Sequence, residues 1–412
     1  MRFGSMGSRG GFGSAGFLGR PGGSAILSPV GNRMGLASIS VTNSGSTGGG
    51  TATQVQRQRN FTVATTIPAG TLCRVRYTNQ YANGSGIQNG LAVMTLRAGF
   101  RLSSTKFAAV MFSGVRDAVL QPGDTVEGFW TPPIDLVPGT TYKEQAFCTF
   151  ASVPSAWAGT AEQSQAFDEY QEWGTALTDR TATNWNSGTR TTNYTICPPI
   201  DICVPFKTNL PAVMIAGDSI SSDGSNDSTF AGFFGYVQRA LAANYAWTNV
   251  GATGQTMGAM FGSQAATRIQ RFAKRGFTHM LSPTGTNDLA GAVPYSQLVT
   301  QITSGKAVCD AVGIKLIPFT LPPRTDPTNT TKNGSDNTNV WTWRQQYNTY
   351  IRSNNGVGYG YFDAAASFQD PVTTDLWRTD LGTPTTEGIH PLTVLHTQAM
   401  TDLAAALPSL LV

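Results

Sequence analysis

Between residues 51 and 205 short apolar or alternating runs recur along the chain. They include Phe61 to Ala64, Leu72 to Tyr77, Leu91 to Leu96 and Ala108 to Phe112. Turn pairs separate them: Asn83-Gly84, Asn89-Gly90, Pro122-Gly123 and Pro138-Gly139. Period-two runs cut by such pairs predict many short strands, the pattern of a β-sandwich or jelly roll. The stretch Ala161 to Leu177 reads as a short helix, followed by a Thr/Asn-rich loop.

From about residue 206 the period changes. Short buried-type runs at Ala212–Ala216, Trp247–Val250, Thr278–Ser282, Lys315–Leu321 and Tyr359–Phe362 predict five strands. Helical stretches are expected between them at 229–243, 264–275, 294–312 and 340–353, and a last one at 392–406. Strand and helix in alternation predict a parallel sheet covered on both faces, with ligands bound at the carboxyl ends of its strands. Residues 1–50 are Gly/Ser-rich and show little periodicity, so they read either as a flexible tail or as an arm that orders on a partner. Three segments are therefore expected: an arm over 1–50, a β-rich accessory domain over 51–205 and an α/β domain over 206–412.

Composition narrows the class. Of 412 residues 40% are hydrophobic and 13% charged, with 46 glycines, which fits a folded, turn-rich chain and not a disordered one. The net charge of +4 is small for this length, and no Lys/Arg run is long enough to track phosphates, so a nucleic-acid partner is not expected. No apolar run approaches about 18 residues, so no membrane span is expected. The N-terminal stretch lacks an apolar h-region and does not read as a secretory signal. The body nevertheless has an extracellular composition. A phage virion protein, made in the cytoplasm and released by lysis, would reconcile the two. The expected location is thus extracellular or on a virion surface, with a cytoplasmic one as the alternative. Residues 1–50 would face virion partners, and assembly as a homo-oligomer is expected.

The five cysteines, Cys73, Cys148, Cys197, Cys203 and Cys309, form no CxxC pair and no Cys/His cluster, so no structural metal is expected. Cys197 and Cys203 flank a Pro-Pro turn and either form a disulfide or stay as buried thiols.

Four short motifs fall at the strand ends. The first strand runs into Ala216-Gly217-Asp218-Ser219-Ile220, which puts a serine at a carboxyl end after a glycine that permits a tight turn. The second leads to Asn249-Val250-Gly251-Ala252-Thr253-Gly254 and the third to Gly285-Thr286-Asn287-Asp288. Glu387-Gly388-Ile389-His390-Pro391 lies near the end. In this order and spacing, residues 212–408 resemble the SGNH (GDSL-like) hydrolases. The resemblance implies a three-layer α/β domain with a five-stranded parallel sheet, no cofactor, Ser219 as nucleophile and His390 as its base. A serine hydroxyl needs such a base to act as a nucleophile. It further implies an oxyanion hole formed by the backbone N–H of Ser219, the backbone N–H of Gly254 and the side-chain amide of Asn287.

The departure lies at 387, where Glu stands in place of the family's usual Asp. Either Glu387 reaches the imidazole, or a backbone carbonyl or Asp380 orients it and the machinery is a dyad. Of the other histidines, His279 opens the third strand at the end opposite the site and reads as structural, while His396 packs in the last helix. Asp218 is expected to bond local backbone, Asp288 to tie down its loop and Asp363 to be structural. Asp223 and Asp227 sit in a Ser/Asn-rich loop without EF-hand spacing, which reads as solvated.

Short motifs over about 55–150, among them Arg74-Val75-Arg76-Tyr77 and Leu120-Gln121-Pro122-Gly123-Asp124, resemble the β-sandwich that precedes the serine strand in a subset of these esterases. That subset is linked to acylated carbohydrate. The leading expectation is an O-acetylesterase acting on acylated carbohydrate, such as a host surface polysaccharide. The alternatives are a lipolytic esterase or thioesterase, and a virion structural or receptor-binding protein that keeps the scaffold without turnover.

Overall fold

The computed structural model describes residues 28–29, 31–32, 34–35, 37–39, 53–63, 74–83, 86–89, 92–103, 105–131, 137, 141–151, 157–159, 170–182, 200–204, 210–223, 235–241, 244–251, 253–263, 265–274, 276–332, 339–354 and 356–412.

The first half is antiparallel. In chain order its main strands are β1 (Gln54–Val63), β2 (Arg74–Thr78), β3 (Met94–Arg101), β4 (Phe107–Met111), β5 (Asp117–Leu120), β6 (Thr125–Thr131), β7 (Thr141–Phe150), β8 (Tyr170–Gly174) and β9 (Ile200–Val204). They are hydrogen-bonded in the order β9-β2-β6-β4-β3-β7-β1-β8, with β5 also on β3. The sequence pattern predicts two stacked sheets, and the structure joins the strands into one. The join is β3, which carries β7 along its whole length on one side and shares its other side between β4 and β5. The two halves of this sheet face a common core. Val75, Tyr77, Val110 and Ile202 from one side pack with Val55, Leu96, Phe100 and Ala146 from the other. Tyr77 Oη donates to Glu144 at 2.9 Å across that core, and Gln145 Nε2 donates to Gln58 at 3.0 Å.

Two expectations fail in this half. Residues 170–174, expected to be helical, form β8 against β1, where β1 offers a free ladder; residues 161–169 lie outside the described set. Part of the 1–50 segment is strand. Ser28–Pro29 pairs with β9, Gly31–Asn32 with β1, Met34–Gly35 with the parallel sheet and Ala37–Ile39 with Trp157–Gly159. These short segments satisfy backbone groups at sheet edges, which a hydrophobic pattern does not reveal.

The second half is α/β. Strands β10 (Ala212–Ile215), β11 (Ala246–Asn249), β12 (His279–Ser282) and β13 (Lys315–Pro318) lie in the order β13-β12-β10-β11, all parallel, with Met34–Gly35 added beside β11 as the fifth strand. The expected fifth strand, Tyr359–Phe362, is reduced to a single parallel bridge between Phe319 and Phe362. Gly360, with φ +151°, interrupts it.

The helices are α1 (Tyr236–Leu241), α2 (Met257–Met260), α3 (Ala265–Lys274), α4 (Thr286–Ala290), α5 (Tyr295–Asp310), α6 (Val340–Arg352), α7 (Ala364–Phe368) and α8 (Thr393–Leu410). Helical spacing selects their buried faces: Leu298, Ile302 and Cys309 in α5, and Leu395, Ala399, Leu403 and Leu407 in α8. Successive strand residues point to opposite faces. Met214 and Met280 therefore pack with α3, α5 and α6, while Val213, Ile215, Leu281 and Ile317 pack with α1, α7 and α8. The result is three layers, with the motifs of Ser219, Gly254 and Asn287 in loops that follow the carboxyl ends of β10, β11 and β12. No helix among the described residues is long and apolar enough to cross a membrane.

Candidate active site

Ser219 leaves the sheet at the end of the wholly buried strand β10 and opens a single π-helical turn, Ser219–Asp223. Asp218 braces that turn. Its carboxylate accepts the Ile220 N–H at 3.0 Å, and its own N–H donates to Ser221 Oγ at 3.1 Å. This is the local backbone role expected for Asp218.

Ser219 Oγ lies 2.8 Å from His390 Nε2, and the other ring nitrogen, Nδ1, bonds the Glu387 carboxylate. A carboxylate only accepts, so Nδ1 carries the ring proton and Nε2 presents its lone pair to the serine hydroxyl. Of the alternatives for orienting His390, Glu387 is the group in contact. Asp380 instead forms a two-point pair with Arg378 at 2.8 and 2.6 Å. Glu387 is also the most open of the three groups, with 43% of its side chain exposed against 21% for His390.

The histidine loop is held from three sides. Thr385 Oγ1 accepts the N–H of Gly388 at 2.9 Å, and Thr385 bridges to Pro391. The Gly388 carbonyl accepts from Thr325 N–H at 2.9 Å and from the buried Trp377 Nε1 at 3.1 Å. Gly388 has φ +83°, and a Cβ there would collide with the Thr325 carbonyl oxygen. The glycine thus lets the loop turn back, which brings a carboxylate three residues before His390 up to its ring.

The other two motifs leave neighbouring strands at the same edge. Val250 N–H bonds Ile215 O and Ala216 N–H bonds Leu281 O, both at 2.8 Å, which keeps β10, β11 and β12 in register up to their last residues. Asn287 Nδ2 donates to Gln255 O at 3.0 Å, leaving the second amide N–H for another acceptor. Asp288 is buried and accepts the N–H groups of Met257 (2.7 Å) and Gly258 (3.2 Å). It ties the Gly254 loop to the Asn287 loop, and burial pushes its carboxyl above the ordinary value. At Gly254 the sequence argument expects close backbone approach. The structure gives a different reason: φ is +74°, while a Cβ would meet open space.

The remaining acidic groups and histidines stand apart. Asp363 caps α7 and pairs with Arg352 at 2.8 and 2.9 Å, a structural role. His279 and His396 are buried away from Ser219, His390 and Glu387. Asp227 lies outside the described residues, as does Cys197 of the expected disulfide; Cys203 is buried in β9. No group of His, Cys, Asp and Glu suited to a metal occurs among the described residues.

Sequence reasoning missed Thr325, Trp377, Thr385 and Arg324. Arg324, next to Thr325, is partly buried. Burial lowers its pKa, while the charges of Asp218 and Glu387 oppose that shift. Its one visible signal is a basic residue just past a strand's carboxyl end, in Leu321-Pro322-Pro323-Arg324. Trp377 had none, because its partner is a backbone carbonyl.

No family model matches the chain, and no curated protein matches it. Solved structures similar to it include GDSL-like acylhydrolases and esterases, which cover about half of the chain. A GDSL-like lipase from Bacteroides thetaiotaomicron is 16% identical, covering 48% of this chain and 88% of its own, with a TM-score of 0.35. The psychrotrophic esterase EstA from Pseudoalteromonas is 14% identical over 48% of this chain and 97% of its own, with a TM-score of 0.33. A Bacillus subtilis protein spans more, 85% of this chain and 80% of its own, at 13% identity and a TM-score of 0.35.

Proposed function

We propose that the chain is a serine ester hydrolase working through Ser219, His390 and Glu387. The observation that carries this is the 2.8 Å contact from Ser219 Oγ to His390 Nε2, with Glu387 on the opposite ring nitrogen. Ser219 Oγ attacks the ester carbonyl while Nε2 takes its proton. The tetrahedral oxyanion collapses, the C–O bond to the alcohol breaks, and the imidazolium returns the proton to the departing oxygen. A water molecule then attacks the acyl-serine, giving up its proton to Nε2. Its collapse releases the carboxylic acid and restores the Ser219 hydroxyl. The N–H groups of Ser219 and Gly254 and the second amide hydrogen of Asn287 stabilise the oxyanion. The positive φ of Gly254 and the fixed Asn287 amide support that assignment.

The substrate class is an O-acetyl ester on carbohydrate. Its support is the likeness of short motifs over about 55–150 to the β-sandwich of esterases linked to acylated carbohydrate. The test compares wild type with Ser219→Ala on p-nitrophenyl acetate and on acetylated polysaccharide. Both activities should vanish in the variant. Equal rates for the two proteins would remove the enzyme reading, and a best rate on long acyl chains would replace the carbohydrate reading by a lipolytic one.

A further inference from the structure

A closed ring of hydrogen bonds joins the Gly254 motif to the Asn287 motif. On one side stand Gln255, Met257 and Gly258, just after Gly254; on the other stand Asn287 and Asp288. Asn287 Nδ2 donates to the Gln255 carbonyl at 3.0 Å. The N–H groups of Met257 and Gly258 donate to the two carboxylate oxygens of Asp288 at 2.7 and 3.2 Å. Two consecutive residues thus face a run of four, and a shift of either segment stretches at least one of the three bonds.

Asp288 is the member of the ring that water does not reach. It is 2% exposed, and a carboxylate removed from water must recover its hydration from donors. Helix α2 starts at Met257, and the first N–H groups of a helix have no partner inside it. Thr256 Oγ1 takes the N–H of Ala259 at 3.0 Å, and Asp288 takes the two before it. An asparagine of the same shape has one accepting oxygen and an NH₂ that cannot accept the second N–H. Side chains close the same contact: Met257 is wholly buried, and a Cβ on Gly285 would meet its Cε at 3.2 Å.

We infer that, on the hydrolase reading above, Asp288 is a positioning residue: its carboxylate holds the Gly254 N–H and the Asn287 amide in the mutual geometry that the oxyanion needs. Asp288 moves no proton in this role. It acts on Gly254 through the backbone of residues 255–258. By fixing the Gln255 carbonyl it also sets the direction of the second Asn287 N–H. Oxyanion donors stabilise the transition state only when aimed at the point where charge develops, and a displacement of about 1 Å can cost about 10²-fold. A purely structural role would instead lower stability and leave the turnover of each folded molecule unchanged.

The experiment is a double-mutant cycle on p-nitrophenyl acetate with Asp288→Asn and Asn287→Ala. Asn287→Ala should lower kcat by about 10²–10³-fold. Asp288→Asn should lower it by about 10–100-fold at nearly constant KM. On the Asn287→Ala background, Asp288→Asn should cost at least about threefold less than it does alone, because one of the two donors it aims is gone. Ile302→Val, a core change in α5, should lower Tm with kcat unchanged, which separates lost stability from lost aim. Losses that multiply in full, or an unchanged kcat in Asp288→Asn, overturn the inference while the hydrolase reading survives. Hydrolysis by wild type no faster than by Ser219→Ala removes the hydrolase reading and the inference with it. Amide hydrogen exchange on wild type covers the case in which Asp288→Asn does not fold. The N–H groups of Met257 and Gly258 should exchange slowly, and exchange as fast as in an open loop overturns the inference.

Discussion

The two edges of the parallel sheet each hold a histidine, and the two rings are set up for opposite ends. At the carboxyl edge, His390 sits on a loop, one-fifth exposed, with a hydroxyl on one nitrogen and a carboxylate on the other. At the amino edge, His279 opens β12, is 4% exposed and has Lys315 opposite it on β13. Thr278 Oγ1 lies 2.8 Å from its Nδ1. Burial, reinforced by the Lys315 charge, pushes its pKa down to about 4, so the ring stays neutral in the folded protein. Residue type is the same; the partners decide. A ring between an acid partner and a nucleophile can accept a proton and have the charge stabilised, whereas a ring beside an ammonium in an apolar setting cannot.

The sharpest way to break this contrast is to remove each ring in turn. His390→Ala should cost about 10⁴–10⁶-fold in kcat on p-nitrophenyl acetate, and adding Ser219→Ala should cost little more, because the two groups act as one unit. His279→Gln should change the same rate by less than about threefold, the scale of a substitution remote from the chemistry. A large loss in His279→Gln would end the division of labour between the edges.

The contrast sharpens at Glu387. Glu387→Gln keeps the shape but offers an N–H to the ring, which favours the tautomer with its proton on Nε2 and deprives Ser219 of a base. A buried triad loses about 10⁴-fold from the analogous change. Glu387 is 43% exposed, so water can compete for the ring and a loss of about 10²–10³-fold in kcat, at nearly constant KM, is expected. A change of less than threefold would mean that the ring is oriented by other groups.

The loop itself is the next test. Gly388→Ala adds a Cβ against the Thr325 carbonyl at a positive φ. It should cost about 2 kcal/mol or more in denaturation stability and lower kcat as well, since the residue lies between Glu387 and His390. Stability lost with activity intact would show that the loop re-forms without its bond to Thr325.

How much of this was legible in the sequence follows from what holds each part together. Ser219, His390 and the parallel strands were readable because local signals specify them: a buried apolar run, a Gly-Asp-Ser turn, a late His-Pro. The role of Glu387 was left open because it depends on the backbone turn at Gly388, which depends in turn on Thr325, far off in sequence. Met34–Gly35 as the fifth strand was not readable at all. A short edge strand contributes backbone hydrogen bonds and needs no particular side chains, so its sequence carries no period. The same holds for β8, where a partner ladder on β1 outweighed a weak helical pattern.

The smallest effect expected is also the one that isolates the amino edge. A folded-state pKa of about 4 for His279 lies below the ordinary value of about 6.5. The unfolded chain therefore binds a proton that the native ring refuses. Stability from this group is fully present above about pH 6.5 and is lost as pH falls toward about 4, by on the order of 1–2 kcal/mol. The carboxylates held low by their cation partners, among them Asp363 beside Arg352 and Asp375 beside Lys332, lose their contribution only at lower pH. The carboxyl of Asp288, raised by burial, contributes with the opposite sign but is common to wild type and His279→Gln, so the difference between the two proteins isolates the His279 ring. Urea midpoints measured between about pH 6.5 and about 4 should fall less steeply in His279→Gln than in wild type. Parallel curves would mean that the amino-edge ring is already hydrated or protonated in the native protein, and that the two edges differ less than their burial implies.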